Sequence, residues 1–326
     1  MAVVFAKPRV VDMCDVVFDE PCWEAYLGAL LTAAPGYLGA FGARLARLSG
    51  RPRAQLLSEY AAAPEQAVRD LARSLGAHTD VDAHVASLSA GGVDQQVLHG
   101  GPWSCPAGTV NDVVAGFAAR HPDRLRFFAG VSLAHPEKAW REARRALDDL
   151  GADGLSVIPF LDSADITAPE HDQLWRLAVE RQVPVWIHSG QSFRATTPMD
   201  ISGPRAIDNL AGRHPQLRIV LGHGGWPWVL EAIALMQRHP QVYLEFSSHD
   251  PATMAQPGSG WEPLFLHGAR SVRRKVLFGS TSWTHGIDVA QVAARASMFP
   301  VSDEVRTDWL HDNAMRLLGE PAAVPA

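Results

Sequence analysis

The sequence predicts an α/β protein folded as a single (β/α)8 TIM barrel, with a helical insertion after the first strand. Eight short runs rich in Val, Ile, Leu and Phe alternate with longer segments of helical periodicity. These runs mostly lack polar alternation, which is typical of parallel strands covered by helices. The length of 326 residues suits one large barrel or two smaller domains. An open doubly wound sheet is the main rival, but no Gly-x-Gly-x-x-Gly follows a strand, so dinucleotide binding has no support.

The barrel strands and the helices between them can be placed in order. The helix predicted over 136–150 has a proline at an early position and ends at Gly151, a helix-stop residue. Segments 170–181, 227–238 and 288–298 have the same apolar periodicity. The predicted strands are 9–17, 93–99, 125–131, 154–159, 183–188, 217–223, 242–247 and 275–280.

The stretch from 23 to 90 is too long for a simple loop. Its Ala- and Leu-rich composition and the helical patterns over 23–33 and 64–75 predict a helical insertion, either a cap on the site or an oligomer contact. We therefore expect one barrel domain over 1–319, with 23–90 as the insertion and 320–326 as a C-terminal tail.

Composition excludes several classes of function. Lys and Arg total 29 against 35 Asp and Glu, and this net charge of −6 argues against a general binder of nucleic acid or membrane surfaces. Three cysteines are too few for a disulfide framework. The N-terminus has no secretory pattern, and no apolar run reaches about 18 residues. We expect a cytoplasmic protein with a small-molecule substrate, with a homo-oligomer as an option.

A short repeat accounts for three of the 14 histidines. Arg-His-Pro ends a helical pattern before a strand at His121, His214 and His239. Proline stops the helix, and the basic pair suits the negative end of the helix dipole. We interpret these three histidines as structural.

The candidate site residues lie where predicted strands end, because the active site of such a barrel forms at the C-terminal ends of its strands. His188 and His223 each end an apolar run and are followed by Gly, so the backbone turns and leaves the imidazole at the barrel mouth. A lone histidine there is more often a core residue, but two on neighbouring strands favour function. Asp15, His99, Glu245 and Thr281 end other strands.

Four segments carry a resemblance to a known family. They are Trp186-Ile187-His188-Ser189-Gly190, Leu221-Gly222-His223-Gly224-Gly225-Trp226-Pro227, Leu277-Phe278-Gly279-Ser280 and Asn313-Ala314-Met315-Arg316-Leu317-Leu318-Gly319. In their order and spacing they resemble the amidohydrolase-related family, in the branch that contains aminocarboxymuconate-semialdehyde decarboxylase and γ-resorcylate decarboxylase. The resemblance runs from the first strand to Gly319, apart from the insertion.

The resemblance implies a (β/α)8 enzyme that binds a divalent metal. Its ligands would be a His-x-His pair on the first strand, a His on the fifth and an Asp on the eighth, with a His on the sixth acting on water or substrate. Carried over, His188 matches the fifth-strand ligand and His223 the sixth-strand acid–base residue.

The other ligands are substituted in this chain. Aligning Asp12 with the family's leading Asp places Cys14 and Val16 at the two histidines, whereas aligning backward from Trp23 places Asp15 at the second. The eighth-strand Asp is Thr281, and its neutral hydroxyl is a poor substitute for a carboxylate. No metal is therefore favoured. The alternative is Zn2+ or another divalent metal held by His188 and Cys14.

Cys14 has three interpretations: a small core residue, a nucleophile beside a histidine, or a residual metal ligand. Trp103, Trp226, Trp228 and Trp283 follow predicted strands at the same end of the barrel. Convergent tryptophans would form an apolar pocket suited to an aromatic or polyene substrate. Arg194 is the candidate partner for a substrate carboxylate. The expected substrate-binding residues are His99, Trp103, Arg194, Trp226, Glu245 and Trp283.

Three functions fit this pattern. The first is an enzyme of a small, aromatic or apolar substrate that uses His188 and His223 as acid and base, near Asp15, Cys14 or Thr281, without a metal. Without a metal to generate hydroxide, cyclisation, decarboxylation or C–C bond lysis is favoured over simple hydrolysis. The second is a metal-dependent hydrolase or decarboxylase with non-standard ligands. The third is a non-catalytic pseudoenzyme or binding protein.

Overall fold

Eight parallel strands form the centre of the computed structural model, which describes residues 9–319. Each strand pairs with the next along the chain, from the first to the eighth. Two backbone hydrogen bonds connect the end of the last strand to the first. Met13 N–H donates to Phe278 C=O (2.9 Å), and Thr281 N–H donates to Cys14 C=O (2.7 Å). The predicted TIM barrel is confirmed. Its strands are β1 (Val10–Asp15), β2 (Val93–His99), β3 (Leu125–Val131), β4 (Gly154–Val157), β5 (Val185–His188), β6 (Ile219–Gly222), β7 (Val242–Glu245) and β8 (Val276–Leu277).

The strand limits differ from the sequence prediction mainly at the C-terminal ends. β2 and β3 have the predicted bounds, but β6, β7 and β8 stop earlier. Just beyond them His223, Ser248 and Thr281 adopt left-handed backbone angles, with φ of 59°, 63° and 42°. These angles end the extended conformation and turn the chain at the barrel mouth. Non-glycine residues in this region are uncommon and cluster at functional sites.

Fifteen α-helices surround the strands in the described chain. They are α1 (Glu20–Ala33), α2 (Gly36–Ser49), α3 (Arg53–Ala62), α4 (Pro64–Gly76), α5 (Val81–Gly91), α6 (Val110–Arg120), α7 (Pro136–Asp148), α8 (Pro159–Asp162), α9 (Asp172–Glu180), α10 (Pro204–Arg213), α11 (Val229–Arg238), α12 (Pro251–Met254), α13 (Val289–Ala296), α14 (Asp303–Thr307) and α15 (Asn313–Leu317). A short hairpin of Ser104–Cys105 and Gly108–Thr109 follows β2. The expected tail, 320–326, lies outside the described residues.

Helices α1–α5 fill the chain between β1 and β2, where the sequence predicts a helical insertion. Asp19 caps α1 by accepting from Cys22 N–H, and a proline follows at the start of the helix. The Tyr60 hydroxyl ties α3 to α1 by donating to Leu31 C=O at 3.1 Å. Tyr26 on α1 and Tyr37 on α2 point over the barrel mouth, so the first two helices cover it.

The barrel interior is a small apolar core of its own. Its members come from the inward faces of six strands and from α15: Val11, Met13, Cys14, Val97, Phe128, Trp186, Val220, Leu277, Ala314, Met315 and Leu317. Arg218, just before β6, donates to Leu317 C=O at 2.6 Å, which places α15 at the N-terminal end of the strands. That end is closed, so the barrel opens at the C-terminal end.

The three Arg-His-Pro histidines occupy helix ends, as predicted. His121, His214 and His239 are the C-cap residues of α6, α10 and α11. Each Nε2 contacts an aspartate on a neighbouring helix: Asp82 at 2.7 Å, Asp172 at 3.2 Å and Asp208 at 2.6 Å, respectively. They join adjacent helices of the outer ring. Within residues 9–319, no helix combines the length and the apolar character needed to cross a membrane.

We expect Gly130→Ala to lower the free energy of unfolding by about 1–3 kcal/mol, because a Cβ there would overlap packed backbone. It would lie 2.5 Å from Gly100 O and 2.6 Å from Gly101 Cα, which are rigid neighbours. Gly116 in α6 is the matched control, since a Cβ there meets nothing within 4 Å. Gly116→Ala should raise stability by about 0.5–1 kcal/mol. Urea unfolding of the two variants measures both effects, and equal stabilities would contradict the packing described.

Candidate active site

A cavity of about 200 Å³ opens at the C-terminal end of the strands. A cavity of roughly 150 Å³ holds benzene, so this one suits a single substituted aromatic ring. Its walls are mainly aromatic, which makes it apolar and flat-sided. The aromatic lining residues are Phe18, Tyr26, Tyr37, Phe41, Trp103, Phe160, Trp186, Phe193, Trp226 and Trp283. Of the four tryptophans expected from the sequence, Trp103, Trp226 and Trp283 are in the wall and Trp228 is not.

His188 and His223 lie together in this cavity. Their rings are 5.0 Å apart and nearly perpendicular, and Trp186 packs against both. Burial lowers the pKa of His188 to about 4. Burial, followed by the neighbouring histidines, lowers the pKa of His223 well below its usual range. Both imidazoles are therefore neutral at pH 7 and able to accept a proton.

A chain of hydrogen bonds behind His223 sets its tautomer. The Ser247 hydroxyl donates to Glu245 Oε2 at 2.8 Å, and Ser247 Oγ lies 2.7 Å from His223 Nδ1. When Glu245 is ionised, the single hydroxyl proton of Ser247 goes to its carboxylate, and Ser247 Oγ then accepts from Nδ1–H. Nε2 then carries the lone pair and has no hydrogen-bond partner among residues 9–319. The imidazole is held as a base directed into the cavity.

Glu245 is fully buried beneath the cavity wall instead of lining it. Its carboxylate accepts from Trp186 Nε1 at 3.1 Å and from both the hydroxyl and the backbone N–H of Ser247. Burial outweighs these bonds and raises the pKa of Glu245 to about 7. The expected substrate contact is thus a support for His223, because Ser247 lies between the carboxylate and the imidazole.

Two buried carboxyl groups, Asp12 and Asp15, share their partners at the junction of β1 and β8. Ser280 Oγ lies 2.6 Å from Asp12 Oδ2 and 3.0 Å from Asp15 Oδ2. Gln96 Nε2 lies 2.9 Å and 3.3 Å from the same two oxygens. The Gln96 amide has two protons and can serve both carboxyls, but the Ser280 hydroxyl has one. The second contact to Ser280 therefore needs a proton on one of the carboxyls.

The electrostatics of the pair agree with a shared proton. Burial, followed by the charge of Asp15, raises the pKa of Asp12 to about 8. Burial also raises the pKa of Asp15, against hydrogen bonds from Ser282 N–H, Val16 N–H and Ser280. Asp15 lines the cavity and Asp12 lies behind it. The pair places a carboxylic acid at the cavity wall at neutral pH.

Cys14, Asp15 and Val16 all line the cavity, so both alignments of the first strand place residues in the wall. Cys14 Sγ lies 3.4 Å from Thr281 Oγ1. Burial, followed by the charge of Glu245, raises the pKa of Cys14 well above its usual range. The thiol stays protonated at neutral pH, whereas a nucleophilic cysteine needs the thiolate.

The remaining candidates divide between the wall and its surroundings. His99 lines the cavity and bonds Met13 C=O through Nε2 at 3.0 Å, and burial lowers its pKa to about 4. Arg194 lies outside the wall, because its guanidinium donates to Phe160 C=O and Leu161 C=O. Sequence reasoning missed Ser247, Gln96 and the cover residues Tyr26 and Tyr37. For Ser247 the available signal was its position two residues after Glu245.

The donor set does not fit the metal centre that the resemblance implies. His188 is present, but Cys14 is a protonated thiol that is hydrogen-bonded to Thr281. The side chain of Val16 has no atom that can ligate a metal. Asp12 and Asp15 accept from Gln96, Ser280 and backbone N–H groups and share a proton, whereas metal ligands must be ionised. Across residues 9–319, no group of three or more His, Cys, Asp or Glu side chains has an arrangement that could hold a metal ion.

A family model described as an amidohydrolase matches residues 64–319. Decarboxylase orsB of Emericella nidulans is 31% identical over 169 residues, 49% of this chain and 46% of that protein. The γ-resorcylate decarboxylase of Rhodococcus jostii is 29% identical over 143 residues, 35% of this chain and 44% of the relative. The match thus spans less than half the length of both relatives.

Two solved structures share the fold. A TIM-barrel protein of Bordetella bronchiseptica is 22% identical with a TM-score of 0.67, over 95% of this chain and 98% of that one. The 5-carboxyvanillate decarboxylase of Novosphingobium aromaticivorans, solved with manganese and 4-hydroxy-3-methoxy-5-nitrobenzoic acid, is 18% identical with a TM-score of 0.63, over 95% and 96% of the two chains. At these identities the likeness concerns the fold.

We expect His223 to be the Nδ1–H tautomer, and Ser247→Ala to abolish that preference because it removes the acceptor for Nδ1–H. Nitrogen-15 NMR of labelled histidine distinguishes the two tautomers, and the signal is assigned by its loss in His223→Asn. Ser189→Ala is the matched control, because the Ser189 hydroxyl lines the same cavity but donates to Gly222 C=O. Retention of the Nδ1–H tautomer in Ser247→Ala would contradict the hydrogen-bond order described.

Proposed function

Because this chain belongs to the amidohydrolase family, whose model matches residues 64–319, we propose that it is a lyase that decarboxylates a small phenolic acid without a bound metal. The observation that carries the proposal is a neutral base and a neutral acid in one aromatic cavity. His223 supplies the base through Nε2, and the Asp12–Asp15 pair supplies the acid through Asp15. The names of the decarboxylase relatives support the class of reaction.

These groups account for each proton in the reaction. His223 accepts the proton of a phenolic hydroxyl ortho to the carboxylate, which raises electron density on the ring carbon that bears the carboxylate. Asp15 donates its proton to that carbon and becomes a carboxylate. The bond to the carboxylate then breaks, its electron pair restores the aromatic ring, and CO2 leaves. His223 returns its proton to the phenolate, and Asp15 regains one from water.

The walls favour loss of the carboxylate. Of the described residues that line the cavity, none is Lys or Arg, and burial keeps the histidines neutral. A carboxylate at the reacting carbon is therefore desolvated without a counter-charge, whereas CO2 is neutral and tolerates this environment. His188 packs 5.0 Å from His223 and helps to hold its pKa low through repulsion in the charged state.

We expect the purified protein to release CO2 from a phenolic acid such as 2,6-dihydroxybenzoate or 5-carboxyvanillate, with no loss of rate in excess EDTA. His223→Ala should lower kcat by about 100- to 10,000-fold, because it removes the base. His78→Ala is the matched control, since His78 is exposed in the turn between α4 and α5. A chromatographic assay of the phenol product measures both.

Two outcomes would overturn this proposal. Activity that is abolished by EDTA and restored by Mn2+ or Zn2+, with about one metal equivalent lost on His188→Ala, would indicate the metal-dependent alternative. Tight binding of phenolic acids without turnover would indicate a binding protein.

We expect kcat to fall as the pH rises through about 8, because the Asp12–Asp15 pair then loses its proton and with it the acid. On the acid side, kcat should persist below pH 6.5, because the lowered pKa of His223 keeps the base neutral. Asp12→Asn removes the neighbouring charge that favours a shared proton. The fall of kcat at alkaline pH should therefore move to lower pH. Asp123→Asn, at an exposed site, is the control. An alkaline limb unchanged in Asp12→Asn would rule out the pair as the acid.

A further inference from the structure

A second cavity, of about 610 Å³, lies beside the aromatic pocket at the same end of the barrel. Gly100, Trp103, Ser156 and Ile158 line both spaces, so these residues form the partition between them. The second cavity follows the C-terminal ends of β2, β3 and β4, the end of a TIM barrel at which ligand sites form. We call it the α7 cavity, because α7 supplies five of its lining residues: Lys138, Ala139, Arg141, Glu142 and Arg145.

The α7 cavity has an excess of unmatched positive charge. Lys138 and Arg141 lie three residues apart on one face of α7, and neither has a hydrogen-bond or ion-pair partner among the described residues. His135, just before the helix, also lines the cavity. The chain as a whole has a net charge of −6, so this cavity is opposite in sign to the molecule's overall charge.

The acidic groups of the same cavity are already satisfied. Glu142 accepts from Arg145 at 2.8 Å and from Asn111 at 2.8 Å, and Arg145 also bonds Asp112 at 2.6 Å. Asp162 accepts from the Ser132 hydroxyl at 2.8 Å and from Leu133 N–H at 2.6 Å. Glu142 is therefore paired with Arg145, and the cavity keeps three cationic side chains, Lys138, Arg141 and Arg145, against two carboxylates, Glu142 and Asp162.

The two cavities are chemically complementary. The aromatic pocket has neutral histidines and no described Lys or Arg in its wall, so it stabilises a ring but not a lasting negative charge. The α7 cavity offers the charge that the pocket lacks. We propose that the α7 cavity binds an anionic group of the substrate, a carboxylate or a phosphate, that is separate from the reacting carboxylate. The substrate is then bipartite, with its ring in the pocket and an anionic arm that passes Trp103.

The identity of the reacting part of the substrate rests on the proposed function. The binding of the anionic arm does not depend on it. Contacts to a remote anionic group offset the cost of desolvating the reacting carboxylate beside Asp15. Lys138 and Arg141 are thus specificity residues, and their loss should weaken binding without altering the proton transfers at His223.

Binding of a series of ω-phenylalkyl carboxylates, from phenylacetate to 6-phenylhexanoate, tests the proposal by calorimetry at low ionic strength. Each acid is compared with its neutral amide, and 3-phenylpropyl phosphate distinguishes a phosphate site from a carboxylate site. At the chain length that spans the partition, we expect the anion to bind about five- to tenfold more tightly than the amide. Lys138→Ala/Arg141→Ala should remove that preference, with the affinity for the amide unchanged.

The control is Arg47→Ala/Arg270→Ala, which changes the net charge equally at exposed residues outside both cavities. No preference for the anion at any chain length, or an equal loss of preference in the control, would overturn the proposal. His223→Ala should keep the preference, because the experiment measures binding. A failure of this inference is therefore distinguishable from a failure of the proposed decarboxylation.

Discussion

The junction between the first and last barrel strands depends on two buried carboxyl groups. Ser280 bonds Asp12 through both its backbone N–H and its hydroxyl, and Ser282 N–H bonds Asp15. Together with Thr281 N–H to Cys14 C=O, these bonds join β8 to β1. The same hydroxyl forces a proton onto the pair, because it has one hydrogen for two close carboxyls. The same set of hydrogen bonds thus closes the barrel and places an acid at the cavity wall.

Exclusion of water explains the other properties of the cavity. The aromatic cover from α1 and α2 and the walls from the strand ends leave the ionisable groups of the cavity buried or half-buried. Burial lowers the pKa of the histidines and raises the pKa of the carboxyls, so at pH 7 the histidines are neutral and the Asp12–Asp15 pair keeps one proton. Neutral acids and bases can exchange protons with a ring at little electrostatic cost. A metal would require the opposite conditions, with ionised ligands that face one point.

The sequence predicts the fold well because its signal is repeated eight times. β2 and β3 have the predicted limits, and the Arg-His-Pro histidines lie at helix ends as expected. His188 and His223 could be placed at the mouth because strand ends converge there. The role of Gln96 could not be predicted, because it depends on contacts across strands, and for Ser247 the sequence offers only its position near Glu245. The partners of Arg194 could not be predicted, because sequence position does not show that backbone carbonyls accept from its guanidinium.

The contact between Cys14 and Thr281 bears on how this site relates to metal-dependent barrels. Restoring a carboxylate at position 281 would bring a third acid to a junction where Asp12 and Asp15 already share one proton. That substitution alone would be unfavourable, because the new charge is not compensated until the other ligands are also exchanged. A metal site of the family type would therefore need substitutions at Cys14, Val16 and Thr281 together, because no single one of them completes a ligand set.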